Sequence, residues 1–138
     1  MLIAIKAAWL CCDAVPRLFL GDSASYLYAA SHDWLPQDRS FTYPWLLRCL
    51  VMPWQSPYAL IVVQSLAGVA SAWLLWSVLR RRFGVSGWIA VLAAALFACD
   101  PAQVFYERMV MAEAFGGLAL MAAFAATIEY VATLRVRW

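Results

Sequence analysis

Charge is what this chain has least of. Of 138 residues, 10 are Lys or Arg and 8 are Asp or Glu, so charged side chains make up only 13% of the sequence. A soluble domain carries about 25%. The shortfall leaves too little polar surface for a water-soluble fold, and it goes with 66% hydrophobic residues and a mean hydropathy of +0.75. Histidine is nearly absent: His32 stands alone. Four cysteines, Cys11, Cys12, Cys49 and Cys99, show no C-x-x-C spacing, so a Cys/His zinc site has no ligand set. Their apolar neighbours predict small buried thiols rather than a structural disulfide. No basic face interleaved with aromatics appears, which excludes nucleic acid as a partner.

Aromatic residues are plentiful, with eight Trp, six Tyr and seven Phe. Their rings suit a chain with many positions at a membrane–water boundary, where amphipathic rings settle. A spanning helix needs about 20 apolar residues. No charge occurs from Cys49 to Leu79, which predicts a span over Tyr58–Leu79 after Pro53 and Pro57, closed by Arg80-Arg81-Arg82. A third span is expected over Phe83–Cys99, ending at Asp100-Pro101, and a fourth over Met109–Leu134. The first, Leu2–Leu20, carries Lys6, Asp13 and Arg17. Charges at that depth must pair, snorkel or face protein, and Asp13 and Arg17 stand one helical turn apart. A secretory signal peptide is the rival reading of this segment, but it lacks a basic start and an unbroken apolar core.

The fold class expected is therefore all-α: a polytopic membrane protein of about four spans, residues 1–138 forming a single transmembrane helical domain. Short interfacial helices are expected in the first external loop, over Ser23–Ser31, with Tyr26, Leu27 and Ala30 on one face, and over Phe41–Met52. Arg80, Arg81, Arg82, Arg135 and Arg137 fall at one end, against Asp22, Asp33, Asp38, Asp100, Glu107 and Glu113 at the other. The basic bias places both termini in the cytoplasm.

Taken alone, Asp22 reads first as a helix cap or a solvated loop residue and only second as a reactive carboxylate. Arg39 reads as a phosphate contact or as the partner of Asp33 or Asp38. Tyr43 and Trp45 read as groove walls or interface anchors. Glu113 opens the fourth span, where the helix dipole favours an acid. Glu107 and Arg108 read as solvated.

Together, Gly21-Asp22 at the end of a hydrophobic helix, Asp33-Trp34, Arg39, Tyr43-Pro44-Trp45 and Ala112-Glu113 resemble the amino-terminal part of the GT-C membrane glycosyltransferases, such as the protein O-mannosyltransferase and lipid A aminoarabinose transferase relatives. The resemblance implies a sugar transferred from a polyprenyl-phosphate donor to an acceptor outside a bacterial inner (plasma) membrane. It implies Asp22 and Glu113 as catalytic acids and Arg39, Tyr43 and Asp33 as substrate contacts. Membrane lipid and the polyprenyl-phosphate sugar are the implied partners. No organic cofactor is expected, and a divalent cation stays open, because Ser23 stands where the family's pattern has a second acid. The resemblance also implies a truncated or split enzyme, with a partner chain supplying further helices.

Two other functions compete. Lys6, Asp13 and Arg17 inside a span suit a small transporter module. The small pairs Ala67-Gly68 and Gly116-Gly117 suit a noncatalytic assembly subunit held by close helix contacts.

Overall fold

Ser56 holds an extended backbone, and Pro57 supplies a first helical residue whose φ is already set. From there the uncharged run continues as one helix, α4 (Pro57–Arg81). Its 25 residues give a length of about 37 Å, more than the ~30 Å of a bilayer's hydrocarbon core. Gly84, at φ +62°, turns the chain back, and Val85 N–H donates to Leu79 O at 3.1 Å.

A computed structural model describes residues 1–13, 15–32, 34, 37 and 39–134. The described residues are all helix and connection, with no strand beyond one isolated bridge. Around α4 lie α1 (Leu2–Cys12), α5 (Gly87–Cys99), α6 (Pro101–Arg108) and α7 (Glu113–Leu134). Two short helices, α2 (Leu20–His32) and α3 (Thr42–Leu50), pack on each other beside the first turns of α4.

Among the described residues two helices, α4 and α7, are long and apolar enough to cross a membrane. A third crossing is available if α5 and α6 count as one, bent by 48°. The bend sits at Asp100, whose carboxylate accepts from Ala102 N–H at 2.7 Å and Gln103 N–H at 3.3 Å and so caps α6. The expected break at Asp100-Pro101 is therefore where it should be, but it starts a new helix rather than an open loop. The last long helix begins at Glu113, four residues later than Met109.

The expected first span Leu2–Leu20 is not one helix. α1 ends at Cys12 after 11 residues, about 16 Å and half of what a crossing needs. Asp13 turns extended, and Pro16 disfavours helix at the residue before it. The chain then pairs with the stretch after α6: Arg17 N–H donates to Arg108 O at 2.8 Å, and Val110 N–H donates to Arg17 O at 3.1 Å. Asp13 and Arg17 do pair, at 2.8 Å, across this extended segment rather than along a helix.

Two packed clusters organise the bundle. Ala72, Ala94 and Ala98 let α4 and α5 approach closely. Near the start of α4, Tyr26, Ala30, Tyr43, Leu47, Leu60 and Val110 join α2, α3 and the 109–111 stretch. Leu27 is not on that buried face; it is 37% exposed. The four cysteines, expected to be buried, are all exposed and unpaired, because each lies on the outward side of its helix.

Candidate functional site

The backbone enters α2 under strain. Leu20 is at φ +37°, a left-handed conformation costing about 1–3 kcal/mol for a residue with a side chain. Ser23 holds this turn: its hydroxyl accepts from Phe19 N–H at 2.8 Å and donates to Val110 O at 2.9 Å. At the far end of α2, the Arg48 guanidinium donates to Ala30 O at 2.8 Å and Ala29 O at 3.3 Å, satisfying carbonyls that have no helical partner.

This framework presents Asp22 in the first turn of α2. Its Oδ1 accepts from Arg39 Nη2 at 2.6 Å. The side chains are 30% and 26% exposed, so both remain reachable from solvent. The Arg39 guanidinium also lies 5.7 Å from the Tyr26 ring centre, within cation–π range. Arg39 therefore finds Asp22 among the described residues, while Asp33 and Asp38 lie outside them.

Tyr26 meets Tyr43 edge to face at 4.8 Å between ring centres, and Tyr43 lies 6.0 Å from Phe115 on α7. Burial raises the pKa of the Tyr43 phenol above its ordinary value, and the charge of Glu113 and the neighbouring Tyr26 push it further; a hydrogen bond with the Met111 backbone opposes them. The phenol stays protonated and works as a donor, reaching Gln64 Oε1 at 3.5 Å. Glu113 itself is exposed in the first turn of α7, within electrostatic reach of Tyr43.

Asp22, Arg39, Tyr43 and Glu113 thus fall at one end of the bundle, joined through Tyr26. Asp33 lies outside the described residues. Trp45, at 61% exposed, points away from the Tyr26–Tyr43 cluster as an anchor would. The arrangement offers a carboxylate able to take a proton and a guanidinium matched to a phosphate. Among the described residues no three His, Cys, Asp or Glu side chains gather as a metal site.

A second polar cluster lies deeper, and it overturns the reading of Glu107 and Arg108 as solvated. They are 0% and 2% exposed. Glu107 Oε1 accepts from Lys6 Nζ at 2.6 Å and from Gln103 Nε2 at 3.0 Å, while Lys6 also donates to Ala98 O at 2.7 Å. Arg108 Nε donates to Asp13 O at 2.7 Å and Nη1 to Ser65 Oγ at 3.3 Å. Glu107 Oε2 and Arg108 Nη2 have no hydrogen-bond partner among the described residues. The short α6 turns both side chains inward against α4, where Gly68 makes room for Glu107.

Residues that sequence reasoning passed over hold the two clusters together. Gln64, a lone amide in the apolar run of α4, is 0% exposed. Its Nε2 donates to Tyr106 O at 2.9 Å and Met109 O at 2.8 Å. An isolated amide in a spanning helix must find partners, and that was the available signal. Ser23 and Tyr26 belong to the helix expected from residue 23, but nothing beside them in sequence marked their contacts with Val110 and Tyr43. No family model matches the chain, and no significant match was found among curated proteins or solved structures.

Proposed function

We propose that this chain is an integral membrane protein that forms the external acid-and-aromatic face of a GT-C-type glycosyltransferase using a polyprenyl-phosphate-linked sugar. The observation that carries the reading is the 2.6 Å contact between Asp22 and Arg39, set on the Tyr26–Tyr43 pair at the same end as Glu113. In the proposed reaction Arg39 receives the donor phosphate. Asp22 takes the proton of the acceptor hydroxyl as its oxygen bonds to the sugar's anomeric carbon and the bond to the phosphate oxygen breaks. Burial, reinforced by the charge of Glu113, keeps Tyr43 protonated beside the reacting groups. The membrane is a bacterial inner membrane, crossed with the arginine end of α4 in the cytoplasm. Helices from a partner chain or from further sequence complete the donor pocket.

The test is transfer of labelled sugar from a polyprenyl-phosphate pool by the complete enzyme carrying Asp22→Asn. Loss of a general base costs about 10²–10⁴-fold, whereas a cap tolerates Asn. Near-normal transfer with normal membrane insertion would remove the main support for this reading.

A small transporter module is the second reading, favoured by Lys6, Glu107 and Arg108 buried together, with Glu107 Oε2 and Arg108 Nη2 lacking a hydrogen-bond partner among the described residues. Ionisable groups inside spans mark ion pathways in many membrane proteins. Ion flux lost in Glu107→Gln but kept in Asp22→Asn would select it.

A further inference from the structure

We propose that the groove between α4 and α7 at the arginine end of the bundle seats an anionic phospholipid, with its phosphate on Arg81 and an acyl chain along an alanine floor. The proposal rests on α4 and α7 being membrane spans and is independent of any transferase activity.

The three consecutive arginines have different duties. Arg80 Nη1 donates to Val85 O at 2.8 Å and secures the turn into α5. Arg82 grips the Glu129 carboxylate with both arms of its guanidinium, Nε reaching Oε2 at 2.6 Å and Nη2 reaching Oε1. That pair neutralises the one acid bordering the groove among the described residues. Arg81 also lines the groove, but it makes no hydrogen bond or ion pair among the described residues. Its positive charge is left for an external anion.

The groove encloses about 280 Å³. Ala122, Ala125 and Ala126 lie three and four positions apart on α7, on one face, and form a floor without side-chain bulk. Trp73 and Ser77 of α4 stand opposite. A cation at one end and an apolar trough running away from it match an amphiphile with an anionic head. Free phosphate would use Arg81 and leave the trough uncovered. The larger groove between α1, α4 and α5, about 540 Å³ and lined by apolar residues such as Leu2, Trp73 and Val91, has no arginine in its wall. Basic pockets between helices at the cytoplasmic side are where anionic head groups are held.

The experiment reconstitutes the chain into phosphatidylcholine vesicles containing spin-labelled phosphatidylglycerol or spin-labelled phosphatidylcholine and measures the motionally restricted lipid. One basic residue near an anionic head group is worth about 1 kcal/mol, so the wild-type preference for phosphatidylglycerol is expected to be about fivefold. Arg81→Gln should abolish it, Arg81→Lys should retain most of it, and Arg80→Gln should leave it intact. Ala125→Leu, which fills the floor without touching charge, should also abolish it. An unchanged preference in Arg81→Gln or Ala125→Leu overturns the proposal, as does an equal loss in Arg80→Gln, which would mean a diffuse basic belt. Displacement of the labelled lipid by inorganic phosphate would overturn the choice of a lipid. Failure of the chain to insert into vesicles would overturn this seat and the membrane reading together, whereas insertion without lipid preference would overturn only the seat.

Discussion

Lys6 Nζ lies 2.6 Å from Glu107 Oε1, and the two side chains are 3% and 0% exposed although 101 positions separate them. This contact ties the short helix α1 to α6, and with Arg108 it anchors the stretch that carries Val110 and Glu113 toward the Asp22 cluster. Its energetic worth lies in the pairing. Two charges removed from water are tolerable together, and either one alone is costly.

Glu107→Gln should therefore lower stability by about 3–5 kcal/mol by stranding the Lys6 ammonium. Replacing both groups, Lys6→Met with Glu107→Leu, should be neutral or stabilising by up to about 4 kcal/mol. Reversible unfolding in detergent micelles gives both values, and simple additivity of the two single changes would show that the pair is not coupled.

Gly68 is the second half of that lock. A Cβ there would meet the Glu107 carboxyl, its Cδ at 2.9 Å, and Gln103 Nε2 at 3.1 Å. Glu107 cannot swing aside without releasing Lys6, so Gly68→Ala should cost about 1–3 kcal/mol as overpacking. The penalty should vanish in a background of Lys6→Met with Glu107→Ala. Gly116→Ala, where nothing lies within 4 Å of the added atom, should be harmless by the same unfolding measurement.

Tyr43 gives a pH dependence whose sign is determined. Burial, then the charge of Glu113, raise the phenol's pKa in the folded chain. An unfolded tyrosine ionises near pH ~10. The stabilisation is fully present below that pH and is lost as pH rises from there toward the folded value. Tyr43→Phe should flatten the alkaline fall in stability, and Glu113→Gln should lower the pH at which tyrosinate absorbance from this residue appears. A titration identical in wild type and Glu113→Gln would separate Glu113 from the site.

Membrane topology is checked by cysteine labelling on a background lacking Cys11, Cys12, Cys49 and Cys99. A probe confined to the outside should reach a cysteine at Gln37 and not one at Ser86, in the α4–α5 turn. The opposite pattern would invert the orientation.

Much of the helical order was legible because it depends on neighbours in sequence. The uncharged run before Arg80 announces α4, Asp100-Pro101 announces a break, and the spacing of Tyr26 and Ala30 announces the short helix α2. Asp22, Tyr43 and Glu113 each stand in the first turn of a helix, and Arg39 lies in the connection just before α3; the charges at these positions were visible in the sequence, their meeting was not.

The partners were not legible. Leu2–Leu20 reads as one apolar segment, yet Pro16 and the backbone bonds to Arg108 and Val110 divide it. Glu107 and Arg108 follow Asp100 and Gln103 in a stretch that reads as a polar loop. Nothing nearby in sequence says that Lys6 lies across from it, or that Gly68 has been kept small to admit it. Hydropathy and helical periodicity are local sums over adjacent residues, so the sequence by itself determined where apolar helices run and which ends are charged. Which charge neutralises which depends on the helices' closing against one another, and so the tertiary structure alone decided that Glu107 is a buried anchor and that Asp22 belongs to Arg39.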